Sequence, residues 1–289
     1  MLINAFCFVL ISLFSTASVA ADDTTLFEPN KSSQTEELRV VSLSPHLSEI
    51  VFALNRQTNL VAVSDYSDYP FGQGCLNQAC SIKAPSVASY QGADIAQIVR
   101  LQPTHILAWD GGNKAQDLAR LEQLGFTVYR SAPKNVSDLL EEIEDIALLL
   151  HAKSEGATLL KSLRTQFSRI KESHIGKHKS AVYYMNSQPL SGVANDPWLN
   201  SLLASCGISN VYQDLTAGFV QFSLADIIRK QPELIIAALN DNKANIETFW
   251  NMHESVLSPK LLQVNPDALH RFTPRVLPAL EKLCEQAYL

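Results

Sequence analysis

Residues 98–108 read Ile-Val-Arg-Leu-Gln-Pro-Thr-His-Ile-Leu-Ala, and residues 227–237 read Ile-Ile-Arg-Lys-Gln-Pro-Glu-Leu-Ile-Ile-Ala. In each stretch a helical pattern runs into Gln-Pro, which stops the helix, and the apolar run that follows predicts a buried strand. Helix, sharp turn and buried strand make up half of a βαβ unit, so the chain is predicted to contain the same building block twice. Two such lobes leave a cleft between them, and small ligands bind in clefts between domains.

A long helical pattern separates the two copies. Its apolar stripe consists of Leu159, Leu160, Leu163, Phe167 and Ile170. A helix over residues 154–175 would be about 33 Å long, the length of a whole lobe, and would let the lobes close only slightly on a ligand. The predicted fold class is therefore α/β, with two Rossmann-like lobes, each built on a parallel sheet, joined by one long backbone helix.

The chain divides into five predicted segments. We expect a signal peptide over residues 1–20, a flexible leader over 21–38, an N-terminal α/β lobe over 39–153, the linker helix over 154–176 and a C-terminal α/β lobe over 177–289. Residues 3–14 are apolar but too few to span a bilayer, and Ser18-Val19-Ala20 provides the small residues that a signal peptidase accepts. Because no Lys or Arg precedes the apolar stretch, an N-terminal membrane anchor is the alternative.

Composition narrows the classes of function. The formal net charge is -6 and Lys and Arg are not clustered, which argues against nucleic acid as a partner. The sequence has no Gly-x-Ser-x-Gly, no His-Glu-x-x-His and no Gly-rich phosphate loop, so a secreted hydrolase is disfavoured. We predict no catalytic residue and no resident cofactor or metal.

Four cysteines follow the predicted signal peptide, an even number that suits an oxidising compartment. Cys75 and Cys80 lie close together in a loop where a small disulfide ring is geometrically plausible. Cys206 and Cys284 each end a helical pattern in the second lobe, and a bridge between them would stabilise the fold by about 3 to 4 kcal/mol. The alternative for this second pair is two buried free thiols.

Aromatic side chains dominate the segments that follow the predicted strands, which is where ligands meet a parallel sheet. They include Tyr66, Tyr90 and Trp109 in the first lobe and Phe219 and Phe222 in the second. Flat apolar rings with a few polar neighbours suit a large, planar ligand that is conjugated or bears amides. Any one of these rings alone could pack within its loop, but the set favours a ligand site.

Four segments carry a resemblance to one family. They are Arg39-Val-Val-Ser-Leu-Ser-Pro45 followed by Glu49, Val63-Ser-Asp-Tyr-Ser-Asp-Tyr-Pro70, Ala108-Trp-Asp-Gly-Gly-Asn113, and Asp267 with Arg271-Phe-Thr-Pro-Arg275. These segments resemble the periplasmic cobalamin (vitamin B12)-binding proteins of Gram-negative bacteria, which are helical-backbone substrate-binding proteins of ABC importers. The resemblance extends over nearly all of residues 39–287. It implies the fold of a class III periplasmic binding protein and a disulfide between Cys206 and Cys284.

The resemblance also implies a function and a binding site. The protein would capture cobalamin in the periplasm, without catalysis, and deliver it to the permease and ATPase of an inner-membrane ABC transporter; a monomer is expected. The implied pocket has Tyr66, Tyr90, Trp109 and Phe219 as walls and Ser44 and Pro45 as floor. Asp267 and Arg271 would hydrogen-bond the amides of the corrin, and they could pair with each other when the site is empty.

Some residues depart from the pattern of the family. Tyr90 and Phe219 stand in place of tryptophan and Leu190 in place of phenylalanine, so the stacking area is smaller and the affinity is expected to be lower. His46 replaces a small residue and has two open roles: an axial ligand to cobalt or haem iron, or a histidine that merely lies near a helix start. The first role suggests an alternative function, a haem or iron-siderophore binding protein in which His46 and a tyrosine bind iron.

The expected contacts with the permease also change. The family docks through one glutamate on each lobe, and this chain has Ala96 and Ala225 at those positions, which are equivalent in the internal repeat. Asp94 and Asp226 lie close by and are candidates to replace the glutamates.

Overall fold

Both lobes are built on a six-stranded sheet in the computed structural model, which describes residues 37–68, 84–240 and 242–289. The strands are β1 Val40–Ser42, β2 Leu60–Ser64, β3 Ser86–Ser89, β4 Gly92–Ala93, β5 His105–Trp109, β6 Val128–Ser131, β7 Lys179–Ser187, β8 Leu190–Val193, β9 Ile208–Asn210, β10 Phe219–Gln221, β11 Leu234–Ala237 and β12 Lys260–Gln263. The helices are α1 Pro45–Ala53, α2 Ile95–Leu101, α3 Ala115–Gln123, α4 Val136–Leu149, α5 Lys153–Ser173, α6 Pro197–Ser205, α7 Leu224–Lys230, α8 Lys243–Asn251, α9 Pro266–His270 and α10 Val276–Tyr288. The predicted α/β class is confirmed.

The two sheets are parallel at their centres and antiparallel at one edge. The first has the order β4-β3-β2-β1-β5-β6, and the second has the order β10-β8-β7-β11-β12 with β9 beside the start of β7. The predicted parallel pairing is found at the centres, whereas β4, β8 and β10 pair antiparallel with their neighbours. For β4 and β8 the reason is the connection, because two residues separate β3 from β4 and β7 from β8, and so short a turn can join only antiparallel strands.

The internal repeat appears as two equivalent helix ends. Gln102 after α2 and Gln231 after α7 both adopt the left-handed conformation, with φ of 47° and 46°. The proline that follows each glutamine has no N–H to continue the helix, so the chain turns at once into β5 or β11. All four residues of β11 are buried, as the apolar run predicts.

Helix α5 lies between the two sheets along the chain and packs against α4 and α10. It buries Leu160, Leu163 and Ile170, three residues of the predicted apolar stripe. Gly156 allows its first turn to lie close to α4, because a Cβ at residue 156 would come within 2.5 Å of the Cβ of Ala147, well inside van der Waals contact. Residues 38–289 cluster as one compact unit, so the division of that region at 153 and 176 stays a prediction.

The disulfide between Cys206 and Cys284 is confirmed. It joins the end of α6 to α10 with the two Cα atoms 5.2 Å apart, and both residues are buried. Cys75 and Cys80, the signal peptide over 1–20 and nearly all of the leader lie outside the described residues. None of the helices in the described ranges has both the length and the apolar character needed to cross a bilayer.

Candidate functional site

Four neighbouring strands of the first sheet end at one edge and place the predicted pocket residues there. Strands β3, β2, β1 and β5 are adjacent and parallel, so their carboxyl ends coincide. Tyr90, Tyr66, Ser44 and Trp109 stand at those four ends, in that order across the sheet. Three interstrand spacings separate the outer two strands, or about 14 Å. The first lobe therefore presents three aromatic residues along one edge.

The rings of this edge are exposed to solvent. Tyr90 is 82%, Tyr66 is 72% and Trp109 is 37% exposed, and Phe219 of the second lobe is 59% exposed. Large aromatic side chains are seldom left so open in a folded protein unless they contact something else. None of the four is buried in the core of its lobe, which leaves all four available to a ligand.

Leu190 is not exposed at this surface, and its role as a pocket residue stays a prediction. Its side chain is buried in the second lobe, where it belongs to one apolar cluster with Tyr184, Tyr212 and Phe222. Phe222 is a core residue too, because its ring stacks on that of Tyr212 with the centroids 4.5 Å apart. Neighbouring residues of a strand face opposite sides of the sheet, and this alternation places the side chain of Leu190 in the core.

Tyr66 adopts a strained backbone conformation. Its φ is 63°, in the left-handed region that β-carbons disfavour. The hydroxyl of the next residue, Ser67, is hydrogen-bonded to those of Ser48 in α1 and Ser64 in β2, at 3.1 Å each. These bonds hold the turn in place. Strained backbone conformations are concentrated at binding sites, where holding a side chain in position outweighs the conformational free energy that the strain costs.

We expect the Tyr66→Asn substitution to raise the free energy of unfolding by about 1 kcal/mol, because asparagine tolerates the left-handed conformation and the exposed ring contributes little packing. Tyr90→Asn is the matched control, since Tyr90 is also exposed but has no positive φ. Chemical denaturation of both variants measures the difference. A loss of stability in Tyr66→Asn equal to that in Tyr90→Asn would contradict the assigned strain.

The position of Trp109 is fixed by the loop that follows it. The backbone N–H of Trp109 donates to Oδ1 of Asn113 at 2.7 Å, and Nδ2 of Asn113 donates to the carbonyl of Leu43 at 2.9 Å. Gly112 lies directly against the indole, so that a Cβ at residue 112 would overlap the ring. The Trp-Asp-Gly-Gly-Asn segment thus needs glycine at 112 for the indole to lie where it does.

We expect Gly112→Ala to displace the indole of Trp109 and to destabilise the fold by about 1–3 kcal/mol, the usual cost of overpacking. The other two tryptophans, Trp198 and Trp250, are buried, so a shift of the emission to longer wavelength would report on Trp109. Gly218→Ala is the control, because a Cβ there meets only one backbone oxygen at 3.7 Å. Emission identical to wild type would show that the ring does not rest on Gly112.

A short segment of the second lobe packs into the first. It follows α9 and reads Arg271-Phe-Thr-Pro-Arg275. The Phe272 ring makes edge contacts with His46 and Trp109, with centroids 5.2 and 5.9 Å apart, and with Trp198 of its own lobe at 4.7 Å. Phe272 therefore connects the core of the second lobe to the aromatic edge of the first.

Charged residues surround this aromatic contact. Glu49 of α1 accepts hydrogen bonds from Arg275 at 2.7 and 2.6 Å and from Arg271 at 3.0 Å. Its side chain is only 2% exposed and that of Arg271 is 15% exposed, so these ions are largely removed from water. Nη1 of Arg271 also lies 2.7 Å from Asp68, the last described residue before the gap at 69–83.

The predicted pairing of Asp267 with Arg271 is confirmed, with Nη2 of Arg271 3.2 Å from Oδ1 of Asp267. The link from Arg271 to Glu49, across 222 residues, was not predicted. Glu49 and Arg275 are both in the segments that carry the family resemblance, but no local pattern indicates that they meet.

Of the two roles left open for His46, the structure agrees with a histidine near the start of a helix, because the residue lies in the first turn of α1 and both ring nitrogens are hydrogen-bonded. Its ring is buried, with Nδ1 2.8 Å from the hydroxyl of Ser44 and Nε2 3.0 Å from that of Ser131. Burial, and secondarily the charge of Arg271, lowers the pKa of His46 to about 3, so the ring is neutral. No group of three or more His, Cys, Asp or Glu side chains in the described ranges is arranged to hold a metal ion.

Ser44 lies beneath the surface at the same edge, and Pro45 is partly buried at the first position of α1. Two cavities of about 710 and 560 Å³ lie elsewhere, in the second lobe, one between β12 and the end of α10 and one beside β10 and α7. The four exposed rings line neither cavity. The candidate site is thus an open edge, bounded by Trp109 and by the charged cluster around Arg271.

Comparison with known proteins gives consistent results. Residues 40–254 match the family described as periplasmic binding protein. A vitamin B12-binding protein of Vibrio vulnificus is 30% identical over 250 residues, which cover 86% of this chain and 89% of the relative. The structure of the periplasmic vitamin B12-binding protein of Vibrio cholerae has a TM-score of 0.76 at 29% identity, covering 86% of this chain and 96% of that chain. The periplasmic haem-binding protein of Vibrio cholerae has a TM-score of 0.73 at 18% identity, over 88% of this chain and all of that one, which shows a common fold alone.

Proposed function

Because the chain belongs to the periplasmic binding protein family, we propose that it captures cobalamin at the aromatic edge between its lobes, without chemical change to the ligand. The observation that carries the proposal is the row of exposed Tyr90, Tyr66 and Trp109 on adjacent strands, with Phe219 exposed on the second lobe. An edge about 14 Å long matches a corrin macrocycle, which is large, mostly flat and conjugated.

The polar residues at this edge suit the amides that surround a corrin. Arg271 offers N–H donors and Asp267 offers carboxylate oxygens, and a primary amide needs both. The two are paired with each other in the structure, so a ligand would exchange that contact for its own hydrogen bonds. Arg271 keeps its bond to Glu49 in this arrangement, which holds the guanidinium in place.

The proposed partner is the permease and ATPase of an ABC importer in the inner membrane, with the protein working in the periplasm as a monomer. The confirmed disulfide supports an oxidising compartment. Ala96 and Ala225 are exposed at equivalent positions of α2 and α7. Asp94 caps α2 through the Gln97 N–H, and Asp226 accepts a hydrogen bond from Tyr212 at 2.8 Å, so a contact with the permease would compete with these bonds.

Cobalamin binding is tested directly with the mature protein. Isothermal titration with cyanocobalamin should show one-to-one binding with submicromolar affinity, and the pink ligand should co-elute from a sizing column. Trp109→Ala should weaken binding by about tenfold or more, because it removes an aromatic stacking partner. Trp250→Phe, a change in the buried core, should leave the affinity near that of wild type. No heat and no co-elution would refute the proposal.

Haem or an iron-siderophore is the alternative ligand for this fold. The alternative loses its proposed histidine ligand, because both ring nitrogens of His46 are hydrogen-bonded inside the first lobe. Titration with haem separates the two ligands: a shifted Soret band that disappears in Tyr66→Phe would favour haem, and an unchanged spectrum would favour cobalamin.

A further inference from the structure

We propose that Ser44, His46, Ser131 and Glu142 form a buried hydrogen-bond relay, in which a proton on Glu142 decides whether the Ser44 hydroxyl donates or accepts at the ligand edge. Glu142 and His46 would then be positioning residues that act through Ser44. The relay itself is a property of the ligand-free protein. Only its effect on affinity rests on the proposed function.

The four side chains form a continuous chain from α4 to the end of β1. The hydroxyl of Ser44 lies 2.8 Å from Nδ1 of His46, and Nε2 of His46 lies 3.0 Å from the hydroxyl of Ser131. The Ser131 hydroxyl in turn lies 2.7 Å from Oε1 of Glu142. All four residues are at most 5% exposed, so water does not compete with these bonds.

The chemistry of the donors gives the chain a direction when Glu142 is ionised. A carboxylate can only accept, so the single hydrogen of Ser131 points at Glu142. The oxygen of Ser131 is then free to accept, and His46 must carry its proton on Nε2. Nδ1 of His46 is left as an acceptor and receives the hydrogen of Ser44. In this state the oxygen of Ser44 can only accept from a ligand.

Protonation of Glu142 reverses every bond. The carboxylic acid donates to Ser131, Ser131 donates to Nε2 of His46, and the ring carries its proton on Nδ1 and donates to Ser44. The hydrogen of Ser44 is then free to donate to a ligand. One proton has been added, at Glu142, and the imidazole is neutral in both states.

The surroundings of the relay place the switch on Glu142 and not on His46. Burial, and to a smaller extent the charges of Asp145 and Asp138 in the same helix, raises the pKa of Glu142 to about 7. Hydrogen bonds from Ser131 and the Ala132 N–H act in the opposite direction and lower it. Tyr129 of β6 is the other titratable group beside it. At the opposite end, burial and secondarily the charge of Arg271 lower the pKa of His46, so that His46 takes up no proton of its own near neutral pH.

Nitrogen-15 NMR of the histidine rings tests the relay without any ligand. His46 is assigned by the signals that vanish in His46→Gln. Between about pH 8.5 and about pH 5.5 its ring proton should move from Nε2 to Nδ1, with a midpoint near the pKa of Glu142. Glu142→Gln should make the tautomer independent of pH. Glu141→Gln, a change at an exposed neighbour, should leave the switch intact.

Two results would overturn the relay: one tautomer of His46 throughout the pH range in wild type, or a switch that survives Glu142→Gln. Ser131→Ala provides a second variant that breaks the chain without changing a charge, and it should also abolish the switch. Since the wild-type titration needs only His46→Gln, for the assignment, misfolding of Glu142→Gln or Ser131→Ala leaves the test decisive.

Affinity for cyanocobalamin tests whether Ser44 transmits the switch. The affinity of wild type should differ by about fivefold between the two ends of the pH range, which corresponds to the free energy of one hydrogen bond. The affinity of Glu142→Gln should be the same at both ends. Equal wild-type affinities alongside a switching tautomer would refute the role of Ser44. No binding at any pH would refute the proposed function and leave the NMR result standing.

Discussion

Glu49→Ala is expected to lower the free energy of unfolding by about 3–5 kcal/mol, the cost of removing one member of a buried ion pair. Glu49 is the carboxylate that receives hydrogen bonds from both Arg271 and Arg275 at the contact between the lobes. Without it, Arg275 loses both of its hydrogen bonds to this carboxylate, and Arg271 keeps only its ion pairs with Asp68 and Asp267. The charged contact of the first lobe with the segment that carries Phe272 is then reduced to the pair of Arg271 with the exposed Asp68.

Chemical denaturation of Glu49→Ala should be compared with Glu144→Ala. Glu144 pairs with Arg164 at 3.0 Å on the surface, where both side chains are more than half exposed, and its loss should cost no more than about 1 kcal/mol. The double variant Glu49→Met, Arg275→Met should be more stable than Glu49→Met alone, because it removes a charge left behind. If Glu49→Ala and Glu144→Ala lost the same small amount of free energy of unfolding, the charged cluster around Glu49 would be solvated.

Loss of the disulfide between Cys206 and Cys284 should lower the free energy of unfolding by about 4.5 kcal/mol, the chain-entropy value for a loop of this length. The bridge closes a loop of 78 residues. The loop includes β10, α7, β11, β12 and the segment Arg271–Arg275, so it constrains most of the second lobe. Tyr288 reinforces the same end by donating from its hydroxyl to the carbonyls of Cys206 and Gly207, at 2.9 and 3.0 Å.

The double variant Cys206→Ala, Cys284→Ala isolates this bridge from the other cysteines. Denaturation with and without reductant should show a large loss of stability in wild type and little further loss in the variant. A variant as stable as oxidised wild type would contradict the prediction. Any sensitivity to reductant that remains in the variant belongs to Cys75 and Cys80, and mass spectrometry of the variant identifies that bridge.

The helices and strands could be predicted from the sequence because they are determined by residues that lie close together in the chain. The repeated Gln-Pro stops α2 and α7 at the predicted places. The apolar spacing of α5 likewise gives its buried face. Propensity and periodicity act over three or four residues, so they can be read without knowledge of the rest of the chain.

The candidate site was predicted in part. Exposed rings after parallel strands follow from strand order, which is why Tyr66, Tyr90 and Trp109 lie along one edge. Ser131, at the end of β6, was not among the candidate residues. Its contact with His46 joins residues 85 positions apart, and that information lies outside the segment.

Sequence alone thus determined the α/β class, the repeat, the long helix and the aromatic edge of the first lobe. Only the tertiary structure decided that His46 and Leu190 are buried, that Phe272 contacts Trp109, and that Arg271 and Arg275 pair with Glu49. Each of these outcomes depends on contacts between residues far apart in the chain. Burial and charge pairing are properties of the packed lobes, and no short pattern of residues records them.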